Sequence, residues 1–228
     1  MTVVVAGAAG GIGRACVEAV RAAGGEVFGA DLDNGLDITR PGGAEQAIVR
    51  ASAYGKITGV VHAVGMSGRA LGDGGVTACG DEAWDEVHRV NHTSVFRLLR
   101  AAIPVMEEGG SIVVIGSALG TTLDDDFHTV AYASSKGALI PLIRSAARET
   151  APRGVRVNLV SAGLVATPMS RRAQNDRAIQ ARLPELMPLG ARLCTPEDVA
   201  AAVLWLLSPA AGRTTGAVIP VDGGWHLR

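Results

Sequence analysis

Thr2-Val3-Val4-Val5-Ala6-Gly7-Ala8-Ala9-Gly10-Gly11-Ile12-Gly13 is the stretch on which the reading of the fold turns. Thr2 to Ala6 is a β-branched run, glycines crowd the positions after it, and Arg14 to Ala22 shows helical apolar spacing that stops at Gly24-Gly25. The order is strand, glycine turn, helix. Glycine lets the backbone take positive φ and lets an anion approach main-chain N–H groups at the positive end of a helix. Gly7, Gly11 and Gly13, with Ile12 between the last two, therefore form a candidate pyrophosphate cradle. Their spacing is Gly-x-x-x-Gly-x-Gly, not the Gly-x-Gly-x-x-Gly of the common dinucleotide fingerprint.

Glu26 to Ala30 reads as a second strand ending in Asp31. A carboxylate there can accept hydrogen bonds from both hydroxyls of an adenosine ribose and repels a 2′-phosphate, which favours NAD over NADP. No basic residue stands at Ala9, Gly10 or Leu32 to hold an extra phosphate, and Leu32 itself is a candidate cofactor neighbour. The plainer alternative is that Asp31 only starts the turn through Asp33-Asn34-Gly35.

From Asp31 the chain reaches Leu36-Asp37-Ile38-Thr39 too soon for an intervening helix, so the second crossover is abbreviated. Gly42 to Tyr54 reads as a helix and Ile57 to Val64 as a strand buried on both faces, ending at Gly65. Met66 to Gly80 is a glycine-rich surface loop near that strand's carboxyl end, where open sheets bind ligands. Glu82 to Met106 is a long amphipathic helix interrupted by Asn91. Ser111 to Ile115 is the next buried strand and delivers Ser117 to its carboxyl end. The loop after it holds Asp124-Asp125-Asp126, either a solvated acidic tip or a site for a cationic group.

A helix from Ala131 to Ala151 follows, and Pro141 should kink it by crowding the Gly137 carbonyl. Val155 to Val160 and Ala217 to Val221 are further strands, and Pro196 to Leu207 is a helix with proline at its first position. The polar segment 168–193 reads as a mobile substrate lid whose Arg171, Arg172, Arg177 and Arg182 either meet an acidic substrate or face solvent. About seven strands alternating with helices describe an α/β fold, a doubly wound, mainly parallel, Rossmann-like sheet in a single domain over 1–228. Its ligand should lie over the strands' carboxyl ends.

The bulk numbers narrow the function classes. The 228 residues suit one core, and a formal net charge of -1 without long charge blocks offers no footprint for nucleic acid or an anionic membrane. Cys16, Cys79 and Cys194 are scattered, which argues against a disulfide framework or a zinc site, and no metal is expected. The chain enters its first apolar run without a charged leader, so a cytoplasmic protein is expected.

The chemistry is concentrated in Tyr132-Ala133-Ser134-Ser135-Lys136, with Ser117 upstream. On a helix, residues four apart share a face, so the Tyr132 phenol and the Lys136 ammonium can look into one space. A nearby cation is expected to lower the phenol's pKa toward neutrality, which suits general acid/base work on an alcohol or carbonyl. The Ser117 hydroxyl can hydrogen-bond the same substrate oxygen if the fold brings its strand end beside this helix.

Taken in order, these motifs resemble the short-chain dehydrogenase/reductase family, from residue 2 to about 224. Gly7, Gly11 and Gly13 look like its cofactor turn, Asp37-Ile38 like the pair that holds the adenine, and His62-Ala63-Val64-Gly65 stands where Asn-Asn-Ala-Gly is usual. Ala63 and Gly65 then keep only their backbone contacts. Asn91, Ser117, Tyr132 and Lys136 fall on the catalytic tetrad. The resemblance implies that Tyr132 exchanges the proton and also adjoins the cofactor, Ser117 polarises the substrate oxygen, Lys136 binds the nicotinamide ribose, and Asn91 holds a relay water. Val165 and Thr167 match positions that hold the carboxamide, after Ala162-Gly163 in place of Pro-Gly. It also implies a homo-oligomer, tetramer or dimer, acting on a small-molecule alcohol or ketone. A non-catalytic dinucleotide sensor or scaffold of the same fold is the alternative. An enoyl reductase or sugar epimerase is a third reading, against which the close Tyr132–Lys136 spacing and the chain length speak.

Overall fold

The computed structural model describes residues 2–228. Strands β1 (Thr2–Ala6), β2 (Glu26–Ala30), β3 (Ile57–His62), β4 (Ser111–Ser117), β5 (Arg156–Ala162) and β6 (Val218–Val221) pair in parallel in the order β2-β1-β3-β4-β5-β6. Side chains alternate across a strand, and here both sets are buried. Val4, Val60, Ile112 and Val114 enter one core, while Val5, Val61, Val113 and Ile115 enter the other.

Ten helices follow the chain among the described residues: α1 (Gly11–Ala22), α2 (Gly43–Ser52), α3 (Asp81–His88), α4 (Ser94–Ala102), α5 (Val130–Gly137), α6 (Leu139–Thr150), α7 (Arg171–Asn175), α8 (Arg177–Ala181), α9 (Leu183–Leu186) and α10 (Pro196–Leu207). Helices α2, α4 and α6 supply the first core, and α1 and α10 with the segment α7–α9 supply the second. No helix among the described residues is long and apolar enough to cross a membrane. Helix α10 begins as its sequence predicts: the Thr195 hydroxyl accepts from Asp198 N at 3.2 Å, and the Asp198 carboxylate accepts from Thr195 N at 2.8 Å.

The sheet has six strands, not about seven. After β2 the chain makes a single 3-10 turn, Leu32–Asn34, and Gly35 then takes the left-handed conformation at φ 75°. Leu36 N returns to Asp31 O at 2.9 Å, and Asp37 binds both the Thr39 amide and hydroxyl, so the backbone over Leu36–Thr39 is a turn and cannot pair beside β2. Leu36 and Ile38, each 2% exposed, plug the first core from this turn. The chain runs from β1 outward to β2 and returns past β1 to β3. That reversal opens the crevice at the strands' carboxyl ends that open α/β sheets use for ligands.

Candidate active site

The glycine turn is built by backbone crowding. Gly7 has φ +81°, and a Cβ on it would stand 2.8 Å from Ala63 C. A Cβ on Gly13 would stand 1.9 Å from Gly7 O, inside any contact distance. Gly10 caps α1 without a side chain, and its first turn carries no acidic residue. The uncapped end, backed by the helix dipole, therefore presents N–H groups and positive potential to an anion. Asp31 closes the same corner, its Oδ2 accepting from Ala9 N at 2.9 Å. Leu32, 70% exposed, stands next to it. The Asp37 carboxylate is engaged by Thr39 and by Arg40 at 3.0 Å, with Ile38 buried beside it.

The catalytic candidates meet at the carboxyl end of β4. Ser117, its last residue, shares one cavity of about 180 Å³ with Tyr132 and Lys136 of α5. Ile12, Gly65, Val165 and Thr167 line the same cavity, so part of the cofactor set adjoins the catalytic set. Gly120 and Gly137 make the approach of α5 to β4's exit possible, since a Cβ on either would lie within 2.9 Å of the other's backbone.

The expected lowering of the Tyr132 phenol by Lys136 is outweighed by burial. The Lys136 Nζ lies 5.9 Å from the Tyr132 ring centre and donates to Ile115 O at 3.0 Å. Burial pushes the Tyr132 phenol above its ordinary value, with the neighbouring Ser117 hydroxyl pulling the other way, and the ammonium is not what moves it. Lys136, 5% exposed, is itself pushed down to about 8 by burial. Burial thus favours the neutral phenol, the form that donates a proton.

Asn91 is held by a π-helical turn, Arg89–Thr93, between α3 and α4, which is where the long helix is interrupted. Its Oδ1 accepts from Met66 N at 2.8 Å, and its Nδ2 donates to Met66 O at 3.0 Å and Ser135 Oγ at 3.2 Å. The side chain thereby ties the loop after β3 to α5. The second expected continuous helix, kinked at Pro141, is instead broken at Ala138: α5 stops at Gly137 and α6 starts at Leu139, with Pro141 in its first turn.

Sequence reading missed Asp73. Its carboxylate, 5% exposed, accepts from Ala131 N at 2.9 Å and from Tyr132 N at 3.0 Å, so a distant loop supplies the cap of the helix that carries the phenol. A buried carboxylate also favours the positive end of that helix. An aspartate among the glycines of 66–80 was the available signal, but its partners lie 58 and 59 residues away.

His62 marks a second departure. The Ser94 hydroxyl donates to Val90 O at 2.6 Å, so at the 2.8 Å contact His62 Nε2 must be the donor. Nδ1 is then the bare nitrogen, buried without a partner among the described residues. Burial first, and the Lys136 charge second, push this imidazole down to about 3. The unfolded chain binds a proton near its ordinary 6.5 while the folded one does not, so the contribution to stability is complete above 6.5 and is lost as pH falls toward 3. Between pH 6.5 and 5 the loss should be roughly 2 kcal/mol. His62→Asn should flatten this limb in a series of melting temperatures against pH; an unchanged limb would place the acid sensitivity elsewhere.

Segment 168–193 is folded against the second core through Ala173, Ile179, Leu183 and Leu186. The residues flanking it, Val165 and Cys194, are joined by a parallel bridge. The acidic loop and the arginines of this segment interlock: Arg182 binds Asp124 at 2.8 Å and also Asp126, and Arg228 binds Asp124 at 2.8 Å. Arg182 is therefore paired, not free for a substrate.

A family model described as enoyl-(acyl carrier protein) reductase matches residues 34–226. The 3-oxoacyl-[acyl-carrier-protein] reductase FabG of Escherichia coli (strain K12) is 32% identical over 98% of this chain and 96% of its own length. The 2-(S)-hydroxypropyl-CoM dehydrogenase 3 of Xanthobacter autotrophicus is 35% identical over 97% of this chain and 95% of its own. Among solved structures, the ligand-free aldohexose dehydrogenase of Thermoplasma acidophilum has a TM-score of 0.88 at 30% identity, covering 100% of this chain and 94% of that one.

Proposed function

The chain belongs to the short-chain dehydrogenase/reductase family of oxidoreductases, and from that premise we propose an NAD-dependent enzyme that interconverts a secondary alcohol and a ketone. The observation that carries this reading is one cavity lined by Ser117, Tyr132 and Lys136 beside Ile12, Val165 and Thr167.

The nicotinamide dinucleotide supplies the hydride acceptor or donor. The residues present fit it: the glycine turn offers an uncapped helix start, and Asp31 stands at its edge. Gly7, Gly11 and Gly13 would bear the pyrophosphate, Asp31 and Leu32 the adenosine ribose, and Asp37 and Ile38 the adenine. Ala63 and Gly65 would give backbone contacts, Val165 and Thr167 the carboxamide, and Lys136 the nicotinamide ribose. Ser117 holds the substrate oxygen while Tyr132 gives it a proton in reduction or takes one in oxidation. Asn91 fixes the Met66 loop against α5, and segment 168–193 acts as the lid.

The matching family model is described by enoyl reduction. The Tyr132–Lys136 spacing of four on one helix, with Ser117 facing them, supports carbonyl chemistry instead. Mixing protein with NAD and a panel of secondary alcohols tests the reading: reduced nicotinamide should accumulate, and in a separate assay supplied with NADH an enoyl thioester should not be consumed. A homo-oligomer is supported by Trp84 and Phe96, 42% and 45% exposed on the long helix pair.

The preference for NAD rests on Asp31. Asp31→Ala should raise the KM for NAD by about tenfold and narrow its margin over NADP, since hydrogen bonds to a carboxylate are worth roughly 1.5–3 kcal/mol. Unchanged relative KM values would show that the carboxylate does not reach the ribose.

A further inference from the structure

We infer that the substrate carries an oxyanion tail, a carboxylate, phosphate or sulfonate, which seats between Arg69 and Arg172 at the cavity mouth while the carbinol end reaches Ser117 and Tyr132. This inference rests on the alcohol–ketone reading and names the substrate class within it.

The cavity wall contains three cationic side chains, Arg69, Lys136 and Arg172, and no Asp or Glu. Arg69 comes from the short 3-10 turn Gly68–Leu71 and Arg172 from α7, and both line this opening. Both guanidinium groups converge on one neutral acceptor: Arg69 Nη2 donates to Asp126 O at 2.9 Å and Arg172 Nη2 to the same oxygen at 2.7 Å. The two Nη2 atoms are therefore no farther apart than those distances added together. Like charges held this close repel unless an anion lies between or beside them.

The charges of Asp73 and Asp126 oppose that repulsion at Arg69, but neither carboxylate forms an ion pair with it among the described residues. Asp126 turns its own carboxylate to Arg182, and Asp124 is shared by Arg182 and Arg228. Asp73 is spent on Ala131 N and Tyr132 N. Arg172 has only Asp176, at 3.7 Å and outside hydrogen-bond range, and Arg69 has no ion pair among the described residues. Burial and then the charge of Arg172 pull the Arg69 guanidinium below its ordinary value, and the charges of Asp73 and Asp126 offset this only in part. Trp225 also lines the cavity, and its indole N–H is buried without a partner among the described residues. Each guanidinium has five N–H donors in a planar fork, so several remain after the Asp126 contact to meet a tetrahedral or planar oxyanion.

The test compares 3-hydroxybutyrate with butane-1,3-diol, which share a skeleton and differ in carboxylate against hydroxymethyl. It is repeated with phosphate-ended secondary alcohols of graded chain length. With wild type, kcat/KM should favour the anionic member by about tenfold or more, the difference residing in KM and shrinking as salt is raised. Arg69→Gln and Arg172→Gln should each collapse that ratio toward one, and Arg172→Lys should keep part of it. A ratio near one in wild type, or a ratio unmoved in both Gln variants, would overturn the inference while leaving the alcohol–ketone reading intact. A KM rise confined to NAD would also overturn it, by assigning the pair to the dinucleotide phosphates. If neither member of any pair is turned over, the alcohol–ketone reading fails and calorimetry still decides the anion subsite. With NAD saturating the glycine turn, inorganic phosphate should bind wild type and lose binding in the double Gln variant; equal heats in the two would refute it.

Discussion

Tyr132→Phe should lower kcat by about 10²–10⁴-fold, the range associated with a positioned general acid or base, while the Kd for NAD stays within about twofold of wild type. The substitution removes one oxygen and keeps the ring, including its packing beside the Lys136 ammonium at 5.9 Å. Loss of turnover with retained binding would assign the defect to proton transfer, because an interaction made only in the transition state lowers kcat and kcat/KM together. The pH profile adds a sign. Burial raises the phenol's pKa, so the neutral donor persists through neutral pH. Reduction should be flat there and fall only as pH climbs through the raised value, whereas oxidation should gain as pH rises. Comparable turnover in the Phe variant would remove Tyr132 from the chemistry, and a wild type that binds NAD but reacts with nothing would favour the sensor or scaffold reading.

Gly13→Ala should abolish measurable dinucleotide binding, while Gly10→Ala three residues earlier should keep it within a few-fold. The added Cβ at Gly13 would sit 1.9 Å from Gly7 O and 2.7 Å from Gly7 C, and both are backbone atoms that cannot swing aside. Relief requires moving the turn off the start of α1, which disperses the N–H groups that an anion needs. At Gly10 the nearest atom is Gly7 O at 3.4 Å, and its φ of -70° suits any residue. The melting temperature separates the two effects, since overpacking alone costs typically about 1–3 kcal/mol and need not unfold the chain. Calorimetric titration of both variants with NAD is the check; equal affinities would mean that the glycine turn is not the pyrophosphate site.

Much of this was legible from local pattern. The run Thr2 to Gly13 announced strand, turn and helix because each signal lies within a few residues of the next, and the structure places Gly11–Ala22 as α1. Ser117, Tyr132 and Lys136 were found for the same reason, and they do share a cavity. Pro141 signalled a disturbed helix, and the structure breaks it one turn earlier than the expected kink, between α5 and α6. What escaped depends on contacts distant in sequence. Asp73 caps α5 from the loop after β3, and nothing in its neighbours predicts that. Leu36 and Ile38 look like strand residues, but a left-handed Gly35 and the Asp37–Thr39 bonds turn them into a plug, so the sheet stops at six strands. The direction of the Tyr132 shift was misread because spacing shows a nearby cation and does not show burial, which wins. Arg69 was passed over in a glycine-rich loop because only the fold brings it to Arg172.

The most direct measurement follows a single atom. A secondary alcohol deuterated at its carbinol carbon is oxidised by the wild-type protein with NAD, and the reduced nicotinamide is isolated and weighed by mass spectrometry. Hydride transfer in the Ser117–Tyr132–Lys136 cavity predicts one deuterium on the nicotinamide for each ketone formed, and none of it lost to solvent. Ketone formed with the deuterium recovered in water, or bound NAD with no ketone at all, would contradict it.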